Sequence, residues 1–178
     1  MGPIVRSMKR CLALLVALLP VPVLADEPMP PPERETTCSS TGKVCAISDP
    51  AINATAVFPK TSRQAPWAIP GWHRWLFVSD DGESVVVGHS GMSLLPLDVT
   101  LEEPVLFFYN KGKLIRKVTL GELYQSTSQL MPTASHLAWA ETISINRANQ
   151  LVVALVNGRK IAFAANIGLV HPLIPDGT

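Results

Sequence analysis

Two short extended runs separated by a polar turn form the clearest pattern along the chain. Residues 75–78 (WLFV) are aromatic or branched, which suits the half-buried surface of a pleated strand. In residues 79–82 (SDDG), aspartate side chains can bond the local backbone, and Gly82 accepts a positive φ angle. Residues 84–87 (SVVV) then resume an extended run. The pattern predicts an antiparallel hairpin within residues 73–88.

The same succession, a polar turn with glycine followed by an extended run, recurs loosely along the chain. The copies cover residues 38–47, 108–118 and 148–165. In the last copy, Asn157-Gly158 is among the strongest short-range hairpin signals. With the central hairpin there are four, at spacings of about 30–45 residues. They predict a single all-β domain of antiparallel hairpins, as a meander or as one or two packed sheets.

One helix signal interrupts the strands. Thr119 is a candidate N-cap, and Glu122 three residues later completes a capping box. Pro132 ends the segment, so we expect a helix of one to three turns, the alternative being a turn between strands. Residues 137–145 then predict a further strand that contains Trp139.

Residues 1–25 have the organisation of a secretory signal peptide. A basic start precedes the apolar run 11–23, and small residues at 23–25 form a cleavage site. The run is shorter than the roughly 20 residues of a membrane span, which favours cleavage over an uncleaved N-terminal anchor. We therefore expect an exported protein, periplasmic or secreted, without a membrane span after cleavage.

Composition divides the remaining chain into three parts. Residues 26–37 contain four prolines and predict an extended tether, although a Pro-rich ligand for another domain is an alternative. Residues 38–167 have the length of a single domain, and residues 168–178 predict a loose tail.

The charge balance of the chain indicates neither a nucleic-acid partner nor an anionic membrane surface. The chain has 15 Lys and Arg against 14 Asp and Glu. Three of the basic residues lie in the predicted leader, so the net charge of the mature chain would be −2. A basic patch of the kind that binds phosphates is not indicated.

Two cysteines remain after the predicted cleavage, Cys38 and Cys45. An exported protein can form a disulfide, and the two side chains would face each other if they flank a hairpin at Gly42. A free reduced pair or a metal site are the alternatives, but the spacing without a nearby histidine is poor for zinc. The sequence favours a disulfide.

The hairpin motif S-x-D-G-x-x-V at residues 79–85, with the antiparallel strands around it, resembles single blades of β-propellers. It also resembles a loose set of small exported bacterial proteins without assigned function. The resemblance covers roughly residues 38–165 and implies blade-like sheets. A full propeller needs at least four blades of four strands. This chain supplies about nine to eleven strands, so the resemblance implies two or three blades, and it implies no site residues.

Catalytic and metal motifs are weak in this sequence. Residues 88–91 (GHSG) suggest a nucleophile at Ser90, but the last glycine of the G-x-S-x-G elbow is replaced by Met92 and no helix start follows. The four histidines lack metal-ligand spacing, so we predict no metal and no cofactor. Acids for glycoside cleavage could be assembled only by the tertiary fold. They are Asp80, Asp98, Glu102 and Glu103.

A cluster of aromatic and basic residues is the main candidate for binding. Aromatic side chains beside arginine are typical of interface hot spots. The alternative is that Trp75 and one other tryptophan lie in the core, with Arg74 facing solvent. The candidate binding residues are Trp67, Trp72, His73, Arg74 and Trp75.

These patterns favour a non-catalytic, exported binding or structural protein of the cell envelope. Loops at residues 67–75 and 90–97 would contact a protein, peptide or glycan partner. A small envelope hydrolase that uses Ser90 or the clustered acids is one alternative. An accessory or inhibitor subunit that pairs through a sheet edge is another.

Overall fold

The computed structural model describes residues 29–60 and 65–174, and within them the protein is all-β. The strands of this part of the chain form four antiparallel sheets, which confirms the predicted fold class. The predicted leader, residues 1–25, lies outside the described residues.

The strands follow one another with short connections, and in the described residues helical structure is confined to single turns. In chain order they are β1 (Glu35–Cys38), β2 (Val44–Asp49), β3 (Ala54–Pro59), β4 (Trp67–Pro70), β5 (Leu76–Val78), β6 (Ser84–Gly88), β7 (Leu94–Leu95), β8 (Pro104–Asn110), β9 (Lys113–Thr119), β10 (Met131–Pro132), β11 (Leu137–Ala138), β12 (Ala140–Ile145), β13 (Gln150–Leu155) and β14 (Lys160–Ala164). A helix, α1 (Leu120–Leu123), follows β9, and a 3-10 turn covers Thr127–Gln129.

Three of the sheets are meanders with strands in chain order or close to it. Sheet 1 has the order β1-β2-β3-β4, sheet 2 the order β5-β6-β8-β9, and sheet 3 the order β12-β13-β14. A small fourth sheet, β10-β11-β7, takes in the strand that the chain forms between β6 and β8. The chain therefore repeats one simple plan three times, with one local excursion.

The central hairpin forms as predicted. Phe77 of β5 pairs with Val86 of β6 in antiparallel register. Gly82 has a φ of 72°, so the tight turn needs the left-handed conformation that glycine adopts readily. β5 also contacts β1 and β2 of sheet 1 and β12 of sheet 3. The hairpin thus lies where the three meanders meet.

The polar turn recurs at the start of all three meanders, with the same hydrogen bonds. The side chains of Ser39, Ser79 and Asn146 each accept a bond from a backbone N–H four or five residues later. Asn149, with a φ of 56°, takes the place that glycine has in the other two copies. Asparagine tolerates this conformation better than most residues. Because this turn has no glycine, the pattern of glycine-containing turns did not predict it.

The hairpins predicted at residues 108–118 and 148–165 are present, but they are not separate repeat units. The first is β8 with β9, the outer half of sheet 2. The second contains β13 and β14 of sheet 3. The four predicted hairpins therefore belong to three sheets.

Hydrogen bonds of the turn 79–82 connect sheet 2 with the turns of the other two meanders, and we call this turn the hub. The Asp80 carboxylate accepts hydrogen bonds from the Ser40 hydroxyl (2.8 Å) and the Thr41 backbone N–H (3.0 Å), both in the first turn of sheet 1. The Asp80 backbone N–H donates to Asn149 Oδ1 of sheet 3 at 2.8 Å.

Two apolar cores lie on either side of sheet 2. One core is formed with sheet 1 and includes Val57, Ile69 and Val85, all at most 1% exposed. The larger core is formed with sheet 3, α1 and the small sheet, and it includes the fully buried Trp139 and Phe108. Both faces of sheet 2 are therefore covered, which explains why every residue of β6 is buried.

The predicted helix is present at the short end of its expected range, and the strand predicted after it is interrupted. α1 is a single turn, and Glu122 Oε1 accepts the Thr119 N–H at 3.1 Å, as expected for a capping box. The strand predicted at residues 137–145 is interrupted at Trp139, because its N–H bonds to Ser93 O (2.9 Å) and its carbonyl accepts from the Tyr124 hydroxyl.

Residues 168–174, within the segment predicted to be a loose tail, contact sheet 3. Val170 forms a bridge with Phe163, and the His171 N–H bonds to Ala162 O at 2.8 Å. The buried Gln150 side chain donates to Pro172 O at 2.7 Å. These contacts cover the free edge of β14.

Cys38 and Cys45 form the predicted disulfide, directly opposite each other in the β1–β2 register. No helix in the part of the chain that the structure describes is long and apolar enough to cross a membrane.

Replacing both cysteines by alanine is expected to lower the free energy of unfolding by about 2–3 kcal/mol. The bond closes a short loop and restricts the unfolded chain, which is the chain-entropy origin of this stabilisation. Urea denaturation of the oxidised protein and of the double variant measures it. A midpoint that does not change would contradict the expectation.

Asp80→Asn is expected to destabilise the fold by on the order of 1 kcal/mol at neutral pH, because bonds to a partly exposed carboxylate are lost. Burial alone would raise the pKa of Asp80, but hydrogen bonds from Thr41 and the neighbouring serines lower it from 3.8 to about 2. A carboxyl group whose pKa is lower in the folded than in the unfolded protein stabilises the fold at pH values above its unfolded-state pKa. This contribution is lost as the pH falls from about 4 to about 2.

The unfolding free energies of wild type and variant should therefore differ above about pH 4 and converge towards pH 2. Asp98→Asn, at an exposed position, is the matched control and should show little effect at any pH. A difference for Asp80→Asn that persists unchanged at pH 2 would show that the carboxylate charge is not responsible.

Candidate functional site

A groove of about 800 Å³ opens at the end of the central hairpin opposite the hub. Its walls come from the segment before β5, the loop after β6, the start and middle of β8, and the proline-rich segment before β1. Four aromatic residues line it together with aliphatic side chains, prolines and one histidine–glutamate pair. We call it the aromatic groove, and its main side chains are Trp72, Trp75, Phe107, Tyr109, His89 and Glu103.

Four of the five predicted binding residues line this groove. They are consecutive, from Trp72 to Trp75. The fifth, Trp67, lies in β4, where its indole N–H donates to Gly82 O at 2.8 Å and its ring packs on the core between sheets 1 and 2. The sequence cluster therefore divides into a structural tryptophan and a groove-lining segment.

Sheet 1 fixes the course of residues 72–75. Gly71 has a φ of 91°, and the chain turns there after β4. The Trp72 N–H then donates to Asn53 Oδ1 (3.0 Å), and the His73 N–H donates to the Ser48 hydroxyl (2.6 Å). Because backbone bonds to side chains of sheet 1 hold this segment, its own side chains are free to form the groove wall.

Arg74 is the most constrained side chain of the groove. Its Nε donates to Glu35 at 3.1 Å, and its guanidinium carbon lies 5.0 Å from the centroid of the Trp72 ring. Nη2 donates to the backbone carbonyls of Pro30 (2.7 Å) and Pro31 (3.0 Å). The side chain is only 11% exposed, so these partners replace most of its hydration. The alternative interpretation of the sequence placed Arg74 on the solvent face. In the structure its side chain is largely covered instead.

The loop after β6 forms the opposite wall. The Trp75 indole N–H donates to Ser90 O at 2.8 Å, which joins the two walls of the groove. Gly91 is required here, because a Cβ at this position would lie 2.3 Å from Leu94 O. Residues 72–75 of the first predicted loop and parts of the second, within residues 90–96, are thus brought together in one groove, whereas residues 67–70 form β4.

His89 and Glu103 form the polar part of the groove. His89 Nε2 lies 3.6 Å from Glu103 Oε1, and Nδ1 accepts the Gly91 N–H at 3.1 Å. Burial lowers the pKa of His89, and the Glu103 carboxylate partly opposes this. The neutral ring therefore has its proton on Nε2, directed towards Glu103. Burial also raises the pKa of Tyr109.

His89, which precedes Ser90 in the chain, is engaged by other partners. His89 Nδ1 accepts the Gly91 N–H, and the Ser90 carbonyl accepts the Trp75 indole N–H. Asp80, another candidate for catalysis, bonds to sheet 1 at the hub instead. Among the described residues, no group of three or more His, Cys, Asp or Glu side chains could hold a metal ion.

Phe107 and Tyr109 were not predicted as site residues, although a signal for them exists. They alternate along β8, and residues two apart on a strand share a face. Their position beside Trp75 depends on the pairing of β6 with β8, which aligns Val87 with Phe107 and Val85 with Tyr109. That register is a tertiary property that single-sequence patterns do not provide.

Fold and groove together define an all-β protein of antiparallel meanders with an aromatic surface groove. No protein-family model, no curated protein and no solved structure matches the chain.

Glu103→Gln is expected to lower the pKa of His89 further, because the carboxylate that favours the protonated imidazole is removed. The imidazole resonances of His89, followed by NMR as a function of pH, measure this. The exposed neighbour Glu102 provides the matched control Glu102→Gln, which should leave the His89 titration unchanged. An equal effect of both substitutions would contradict a specific pairing of His89 with Glu103.

Proposed function

We propose that the mature chain is a non-catalytic, exported binding protein of the cell envelope that holds a partner in the aromatic groove. The observation that carries this proposal is the convergence of Trp72, Trp75, Phe107 and Tyr109, from the segment before β5 and from β8, on one concave surface. A cleft lined mostly by aromatic and apolar side chains, with few polar groups, is the usual form of a binding site.

The disulfide supports the exported location in this proposal. Cys38 and Cys45 are directly paired across a hairpin, and such bonds persist in oxidising compartments. A start with the features of a signal peptide points the same way.

Hydrolysis is less well supported by the geometry of the groove. A serine nucleophile needs a base within hydrogen-bond reach, and the adjacent His89 uses one nitrogen for Gly91 and directs the other to Glu103. A glycosidase needs two carboxyl groups that face each other across the substrate. In the groove the carboxylate of Glu103 faces an imidazole instead.

Partner recognition through a sheet edge is also less well supported. The outer edge of sheet 2 is β9, which has exposed lysines at positions 113 and 117. Charged side chains of this kind discourage edge pairing. β4 is short and ends in proline, and β14 is covered by residues 169–171. The groove is therefore the better surface for a partner.

The test is affinity capture from the native envelope with the mature protein and a groove variant, Trp75→Phe with Tyr109→Ala. A partner held in the groove is expected to be retained by the wild type and reduced at least tenfold by the variant, since central aromatic contacts contribute most of the binding energy. Trp67→Phe, which alters a tryptophan outside the groove, is the matched control and should retain the partner.

Labelling with a serine-directed probe tests the competing function, a hydrolase that uses Ser90. Equal capture by all three proteins, together with labelling that is lost in Ser90→Ala, would exclude the proposed function in favour of hydrolysis.

A further inference from the structure

The segment before β1 is bound to the body of the protein in a way that residue composition alone did not predict. Residues 29–34 (MPPPER), here called the proline arm, form part of the rim of the aromatic groove. The Trp72 indole N–H donates to Glu33 O at 2.7 Å. Arg74 donates to the carbonyls of Pro30 and Pro31. The arm is thus held by two side chains, which we call the Trp72–Arg74 platform.

The contacts of the platform suit a polyproline segment. Proline has no N–H and restricts φ to about −65°, so a run of prolines favours the polyproline II helix, whose carbonyls remain free to accept hydrogen bonds. This helix has three residues per turn, so Pro30 and Glu33 lie on one face. The platform takes the carbonyls of both. An aromatic ring next to a donor that bonds to such carbonyls is a recurring mode of Pro-rich peptide recognition.

The hydrogen bonds from the platform go to the backbone of the arm and not to its side chains. All six residues of the arm are exposed, and none of them belongs to a strand. The described hydrogen bonds that hold the arm run from Trp72 and Arg74 to carbonyl oxygens. Another segment with the same backbone conformation could therefore make the same hydrogen bonds, whereas the ion pair between Arg34 Nε and Asp49 Oδ2 (3.8 Å) is specific to the chain's own arm.

We propose that the Trp72–Arg74 platform is a recognition site for a proline-rich segment of a partner protein, which the chain's own arm occupies in cis. This inference rests on the proposed function and specifies its ligand class. A longer Pro-rich segment would replace the arm on the platform and continue into the groove beside it. There Trp75, Phe107 and Tyr109 offer rings against which proline side chains pack.

The cis arm affects how strongly such a ligand binds. A tethered ligand competes at a high effective concentration, so the apparent affinity for a free peptide is reduced to the fraction of molecules whose platform is open. Weakening the arm should therefore strengthen binding of the free peptide. A site that merely anchors the start of β1 would not respond in this way.

The experiment uses the mature protein and an arm variant in which Pro30, Pro31 and Pro32 are replaced by serine. The probe is a fluorescent peptide with the sequence of residues 26–35 (DEPMPPPERE), followed by fluorescence anisotropy. If the arm is docked in about nine of ten wild-type molecules, the arm variant should bind the peptide about tenfold more tightly than the wild type.

Two further variants, made in the arm-variant background, test the platform. Trp72→Phe keeps an aromatic ring but removes the indole donor, and it should weaken peptide binding at least tenfold. Trp67→Phe removes an indole donor outside the groove and should leave binding unchanged. A peptide with alanine in place of each proline should bind less tightly. Thermal unfolding of each variant verifies that the body of the protein is intact.

The inference is overturned if the folded arm variant fails to bind the peptide, or if it binds no better than the wild type. It is also overturned if Trp72→Phe has no effect. Groove-dependent capture of a glycan or of a partner without a proline-rich segment, with no peptide binding, would sink this inference while leaving the proposed function in place. Loss of both peptide binding and groove-dependent capture would remove the two together.

Discussion

The hydrogen bonds around Asp80 are the constraint on which the arrangement of the sheets depends. Three-stranded and four-stranded meanders are individually small, and each must cover an apolar face with another. The hub places a carboxylate against the first turn of sheet 1 and a backbone N–H against Asn149 of sheet 3. Because both contacts come from one residue of one tight turn, the first hairpins of the three meanders meet in a defined register. The same placement brings sheets 1 and 3 against the two faces of sheet 2, where the two apolar cores lie.

The hub and the aromatic groove lie at opposite ends of the same two strands, β5 and β6. The strands that are fixed at the hub therefore also position the groove walls. β5 and β6 leave the hub side by side and end where the Gly88 N–H bonds to Trp75 O at 2.9 Å. Beyond that bond the chain supplies one groove wall before β5 and the other after β6. The groove walls are loops, but they begin at a paired and buried strand end. This is the usual way in which a rigid scaffold positions binding residues on irregular segments.

Local chemistry in the sequence was sufficient for the hairpins and insufficient for their assembly. Turn residues and alternating apolar positions predicted the β5–β6 hairpin, the disulfide and the capping box at Thr119, because each depends on residues close in the chain. The interruption at Trp139 depends on partners that are distant in sequence and could not be predicted. For the groove, consecutive residues 72–75 were visible as a cluster, whereas Phe107 and Tyr109 join them only through the β6–β8 register.

Arg74 explains why the proline arm and the groove must be considered together. An arginine side chain that is only 11% exposed has lost much of its hydration, and here a carboxylate, two carbonyls and an aromatic face compensate for that loss. Removal of the arm would leave Glu35 and Trp72 as partners but would free the donors that Pro30 and Pro31 occupy. Unpaired donors on a partly buried cation are costly, so water or another acceptor must replace those carbonyls. A ligand that presents backbone carbonyls at polyproline spacing satisfies this requirement, while a purely apolar ligand of the same size leaves the arginine uncompensated.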